Sequence, residues 1–241
     1  MKGLSALLVL CGFLLVGNEA AALDFQKGRL AVGAKIGFGL EWSARNSDLR
    51  DVMDQGFLFD VPGANVGDVK NSAGFSAGGW LYADFWLLDM LALEGGIGFS
   101  GKGAHWKSTL SFMGQSIDTD LWLKLAYMEI PLGVKLDFMN IRVTAHLLFN
   151  IALTGKTKTD VDGTVEDDKW GDADWDTFRR FNLGLRLGAG YAIAIGPIVL
   201  IPGVDWSTHF IDEIKDDDIE DYQVRWMDFF FNVAVEYNLP I

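Results

Sequence analysis

Eight antiparallel strands closed into a transmembrane β-barrel are what this sequence predicts, and three observations carry the prediction. Apolar residues alternate with small or polar ones over long stretches, which is the period of a strand, because successive side chains point to opposite faces. The bulky face of these stretches suits lipid, while the other face, mostly glycine with a few charges, suits a narrow lumen; a soluble barrel would be built the other way round. The connections alternate between long and short, as they do when external loops face short turns on the other side.

The first stretch, Leu30–Trp42, is the cleanest: Leu30, Val32, Ala34, Ile36, Phe38, Leu40 and Trp42 oppose Ala31, Gly33, Lys35, Gly37, Gly39 and Glu41. The second, Gly74–Phe85, sets Phe75, Leu81 and Phe85 against Ser76, Trp80, Tyr82 and Asp84. A tight turn at Leu87–Asp89 leads to the third, Leu91–Lys102, with Glu94, Gly96, Gly98, Ser100 and Lys102 inward. The fourth, Leu121–Asp137, carries Glu129, Gly133, Lys135 and Asp137 inward. After a turn at Phe138–Asn140, the fifth, Ile141–Thr154, places Arg142, Thr144, His146, Asn150 and Thr154 inward. The sixth, Arg180–Ile193, alternates Phe181, Leu183, Leu185 and Leu187 with Asn182, Gly184, Arg186 and Gly188. Ile195-Gly196-Pro197 turns the chain into the seventh, Ile198–His209, whose alternation is less regular. The eighth, Val224–Leu239, ends the barrel. Residues 43–73, 103–119, 155–178 and 210–222 are the long connections. Pro131 and Pro202 fall inside the fourth and seventh strands, where each removes a ladder donor, so a bulge is expected at both.

Composition agrees. Half of the residues are hydrophobic despite a net charge of −13, and 17 Phe, 9 Trp and 5 Tyr supply aromatic girdles. No apolar run reaches the ~18 residues of a membrane-crossing helix once the first segment is set aside. That segment has Lys2, an apolar stretch Leu4–Val16 and small residues Ala20-Ala21-Ala22, the layout of a secretory signal. The expected organisation is a signal peptide over residues 1–22 and one barrel domain over residues 23–241, exported to the outer membrane of the cell. The single cysteine, Cys11, lies within the signal and follows Leu10, which is not the small residue a lipoprotein signal needs. Acidity excludes a nucleic-acid partner, since phosphate binding needs concentrated Lys and Arg. The partners expected are outer-membrane lipids, the barrel insertion machinery and an extracellular ligand.

Two local patterns carry a resemblance. One is Leu93-Glu94 followed by Gly101-Lys102-Gly103; the other is Tyr127-Met128-Glu129-Ile130-Pro131-Leu132 followed by Lys135. With the glycine-rich sixth strand, Asn182-Leu183-Gly184 through Gly188-Ala189-Gly190-Tyr191, the chain resembles the PorT-like outer-membrane β-barrel family across nearly all of its mature length. The resemblance implies an eight-stranded barrel of OmpA/OmpX-like architecture and no common catalytic activity. The chain departs from the Phe or Trp on which such barrels often end: it closes Tyr237-Asn238-Leu239-Pro240-Ile241.

The candidate site is the lumen. Lys35, Glu94, Glu129, Lys135, Arg142, Arg186 and Asp228 all have inward parity, as do Glu41, Asp84, Lys102, Asp137, Arg180 and Glu236. Eight strands enclose an interior that side chains just fill, and buried charges must be paired, so these groups are expected to form a salt-bridged plug. Two acidic stretches lie in the loops. Residues 155–176 hold eight acids, and residues 212–221 hold seven against Lys215 alone. Clustered carboxylates attract Ca²⁺ or Mg²⁺, and Asp160, Asp162, Asp216, Asp217 and Asp218 are the candidate ligands, although solvated repelling charge explains the same residues. No cofactor is otherwise expected. Ser207-Thr208-His209 with Asp205 or Asp212 invites a hydrolase reading, but no motif accompanies it. Gly96–Gly101 matches G-x-G-x-x-G by letter only, because it lies within a strand rather than between a strand and a helix.

The function expected is that of a non-enzymatic barrel displaying acidic external loops for surface contact or envelope integrity. A narrow porin-like channel for small solutes or ions is the first alternative, and a loop-borne lipid or peptide hydrolase the second. A soluble lipocalin-like barrel, with Phe38, Phe149 and Phe231 turned inward, is the structural rival.

Overall fold

The computed structural model describes residues 29–45, 65–66, 70–112, 115–161, 163–169, 179–211 and 224–239. The signal segment 1–22 and the candidate ligands Asp162, Asp216, Asp217 and Asp218 lie outside them. Eight long strands form the barrel: β1 Leu30–Arg45, β2 Gly74–Leu88, β3 Leu91–Phe112, β4 Gln115–Phe138, β5 Ile141–Val161, β6 Phe181–Tyr191, β7 Ile198–His209 and β8 Val224–Asn238. Each pairs antiparallel with its sequence neighbour, and β1 pairs with β8 from Ala31↔Asn238 to Arg45↔Val224, so the ring closes. Closure matters because lipid offers no partner to a free strand edge. The fold is therefore an all-β, up-and-down, eight-stranded barrel, as the alternation requires.

The faces are inside out relative to a soluble barrel. Phe38 and Phe231, a cross-strand pair, are 60% and 53% exposed, and Ile36 reaches 69%. In water such a continuous apolar belt would drive association; in a bilayer it is the solvated surface. The soluble lipocalin-like alternative fails on these residues. Three short turns join strands at the end that also holds the barrel's first and last residues. At Met139-Asn140 both residues have positive φ (51° and 66°), the geometry of a two-residue turn matching the strand twist.

Three expectations need correction. Residues 103–119 are not a loop: alternation continues, Ala104, Trp106, Leu121, Leu123 and Leu125 stay buried, and β3 and β4 run on as a paired extension to Phe112↔Gln115. Parts of 155–178 and 43–73 do likewise, as β5 pairs with Thr164–Lys169 and the β3 extension pairs with Asn65–Val66 and Lys70–Ser72. Neither proline produces a bulge. Pairing keeps one register across Pro202 and across Pro131, and the missing N–H costs only local ladder contacts: Gly96 and Ile97, opposite Pro131 and Ile130, drop out of the β3–β4 pairing, and Tyr191 and Ala192, opposite Pro202 and Ile201, drop out of the pairing with β7. Register shifts do occur elsewhere, one between Trp86 and Leu88 beside the first short turn and one higher in the wall at Leu153. There the pairing passes from Tyr127↔Ala152 to Ala126↔Thr154, which turns Thr154 outward rather than into the lumen.

Candidate functional site

Lumenal parity brings charged side chains from all eight strands onto one axis, and the structure sorts them into three levels. Nearest the short turns, Lys135 on β4 is the hub. Its Nζ lies 2.6 Å from Asp84, 2.7 Å from Glu94 and 2.6 Å from Glu236, and 4.8 Å from the centre of the Tyr82 ring. Arg142 Nε donates to Asp137 at 2.7 Å and its Nη1 to Glu236; Tyr82 also donates to Glu236. His146 Nε2 sits 2.9 Å from Glu94.

At mid-barrel, Glu129 collects donors. Arg186 reaches it at 2.5 Å, Trp80 Nε1 at 2.7 Å and Ser100 Oγ at 2.6 Å, while the Arg186 guanidinium also lies over the Trp80 ring. Lys35 pairs with Asp205 across the lumen at 2.8 Å. Toward the outer end, Lys102 joins Asp228 at 2.7 Å and His209 Nε2 at 2.9 Å; Ser207 Oγ donates to Asp228, and Glu41 accepts from the Gly103 N–H. The seven residues chosen from the sequence thus all line the lumen, each within ion-pair distance of an opposite charge.

Charge-assisted contacts of this kind in a low-dielectric space are short and directional, and each buried carboxylate needs them. Among the described residues the space left between them near Lys35, Tyr82, Glu94, Arg142 and Asp205 is about 40 Å³, the scale of a few waters. Trp86, Trp226, Tyr127 and Phe230 fill the rest from lumenal positions.

Parity reasoning missed one member and misplaced another. Asp205, considered only as a hydrolase acid, is the partner of Lys35. The inward set on β7 begins with Val199 and Ile201 and spans Pro202, so its alternation reads poorly. Arg180 is exposed at the outer end of β6 rather than lumenal. Ser207 and His209 do share an inward face, but their hydrogen bonds go to Asp228, Lys102 and Asn150. Of the metal candidates, Asp160 is described: its Oδ1 accepts the Gly163 N–H at 3.0 Å in a tight turn. Among the described residues no three His, Cys, Asp or Glu side chains are placed to hold one ion.

A family model described as outer membrane protein beta-barrel domain matches residues 20–214. No curated protein matches the chain. Among solved structures it is similar to Ail, the attachment invasion locus protein of Yersinia pestis, at 15% identity and TM-score 0.35, over 88% of this chain and 100% of that one. It is similar to the outer membrane protease OmpT from Escherichia coli at 9% identity and TM-score 0.43, over 92% and 100%. It is also similar to the outer membrane protein AlkL at 11% identity and TM-score 0.41, over 93% and 96%.

Proposed function

Because this chain belongs to the outer membrane protein beta-barrel domain family and so resides in the outer membrane, we propose that it is a non-enzymatic envelope barrel, closed to solutes, that carries acidic external segments for surface contact or envelope integrity. The observation supporting closure is the lumenal network. A conducting pore needs a continuous wet path, whereas here Arg186, Lys102, Glu129 and His209 are fully buried and cross-linked at the middle and outer levels. The non-enzymatic reading is supported by Ser207 and His209, whose polar atoms are committed to structural partners. Nucleophilic catalysis would need them bonded to each other, with an orienting acid behind the histidine.

Within the family, the likeness to PorT-like barrels gains support from the positions of its motif residues. Glu94, Lys102, Glu129 and Lys135 are the points where the network is densest, so those short patterns encode the plug. Planar-bilayer recording of the refolded mature chain tests closure. The expected trace shows no stepwise conductance above bare lipid, and a steady single-channel conductance in the folded barrel would overturn the plug.

A further inference from the structure

Above the lipid-facing band, the outward surface changes character on one side of the barrel. At this level Trp42 on β1, Met227 on β8 and Phe210, the residue just past β7, face outward. On β3, β4 and β5 the outward positions are held instead by His105, Lys107, Trp122, Lys124, Lys156 and Lys158. The bulge at Leu153 creates this arrangement. Below it the odd-numbered residues of β5 face lipid; above it the even-numbered ones do. Lys156 is thereby set directly opposite Lys124, and Lys158 opposite Trp122.

Two like charges directly opposite on one sheet face repel each other and present two cationic ends to a single anion; Lys156 also holds a contact of its own. Lys124 is exposed and makes no ion pair among the described residues. Around the pair the aromatic parts are ordered. His105 stacks on Trp122 at 4.6 Å with an interplanar angle of 9°, Lys158 Nζ lies 4.8 Å from the Trp122 ring centre, and Asp120 anchors His105 at 2.7 Å. Beside them runs a groove of about 610 Å³ whose outward floor is small, Ala77, Gly101, Gly103 and Ala126, with Phe75 at one edge.

Height identifies what meets this groove. The outward apolar run on β4 from Leu136 to Ala126 rises about 25 Å along the barrel axis at the usual strand tilt, the thickness of an outer-membrane apolar band. Lys124 is the next outward residue. The lysine pair therefore sits where acyl chains give way to headgroups, with the small-residue floor below it.

We propose that this groove binds one phosphorylated glycolipid of the outer leaflet. Its phosphate bridges Lys124 and Lys156, its sugar lies against the Trp122–His105 stack, and an acyl chain follows the floor past Gly101. Acidic neighbours limit the site on its outer side: Asp120 and Asp160 face each other one step above. The site is independent of whether the lumen conducts.

Native mass spectrometry of the mature chain refolded in dodecyl-maltoside micelles tests this, with bisphosphorylated lipid A, monophosphoryl lipid A, phosphatidylglycerol and inorganic phosphate as probes. Wild type should retain one bisphosphorylated lipid A, more strongly than the monophosphoryl form or phosphatidylglycerol. The double variant K124Q/K156Q should lower retention by at least about tenfold through loss of two charge-assisted contacts, with an unchanged boiled-versus-unboiled gel shift. Gly101→Leu gives a second test that leaves charge alone. A Cβ at Gly101 meets only the Ala77 carbonyl at 3.9 Å, so the side chain is accommodated and fills the floor. It should lower lipid A retention in a folded barrel. Undiminished retention in either variant, equal retention of phosphatidylglycerol, or full displacement by millimolar inorganic phosphate would overturn the proposal.

Discussion

Replacing Lys135 with Met keeps nearly the same side-chain volume and removes one charge, so the cavity contribution is small and the electrostatic one stands alone. Three carboxylates lose their shared cation, but unequally. Glu236 keeps Arg142 and Tyr82, and Glu94 keeps His146; Asp84 has Lys135 as its partner among the described residues and is left bare. The cost is therefore closer to one broken buried pair than to three, about 3–5 kcal/mol. An independent bound agrees. A bare carboxylate escapes by taking up a proton, and at pH 7 that costs a group of ordinary acidity about 4 kcal/mol. The same reasoning fixes the sign of the pH dependence. If the folded variant holds a proton that its unfolded chain releases, stability falls as pH rises above the carboxylate range near 4 and recovers as pH is lowered toward it. Urea unfolding of Lys135→Met in micelles at pH 7 and pH 5, with Asp84→Asn added as the second arm of a mutant cycle, measures both quantities. The double variant should regain most of the loss. A single variant within about 1 kcal/mol of wild type at pH 7, with no pH dependence, would refute the hub role of Lys135.

Phe38→Lys should cost about 2–4 kcal/mol in a bilayer, since Phe38 faces lipid near mid-height, and urea titration of vesicle-inserted protein reads it. Gly98→Ala should cost about 1–3 kcal/mol by overpacking, because a Cβ there would overlap Trp80 Cδ1 and lie 2.5 Å from the Gly79 carbonyl; the temperature at which the unboiled gel band disappears will show it. The Asp120 carboxyl is slightly buried, which opposes its charge, yet hydrogen bonds from His105 and Lys107 hold it below the usual range. Its contribution is therefore present above pH 4 and lost as pH falls below. Asp120→Asn should weaken the barrel by less than about 1 kcal/mol at neutral pH, and the gap to wild type should close in acid. A serine-reactive probe should leave Ser207 unlabelled in the folded barrel, because its hydroxyl is buried against Asp228; labelling would revive the hydrolase reading.

The lumenal site was legible in kind but not in detail. Parity alone selects Glu94, Lys135 and Arg186 as inward, because side chains alternate faces whatever the strand pairs with. It does not say that Lys135 meets Asp84 and Glu236, which are 51 and 101 residues away in the chain. Asp205 shows the limit: its strand's pattern is blurred by Pro202 and by an apolar inward start, and only the position of Lys35 across the lumen reveals its role.

Strand number, the faces of nearly every strand, the turn end and the membrane setting are all readable from the chain alone. These are local or compositional properties, read from a period of two and from which face is greasy. The closed ring settles which charges share partners, where the register slips at Leu153, that parts of three outer connections form paired strands, and that Lys124 faces Lys156. Those depend on how each strand is staggered against its neighbours around a closed ring. A one-residue shift there reverses every side chain beyond it, and single-strand periodicity carries no record of that stagger.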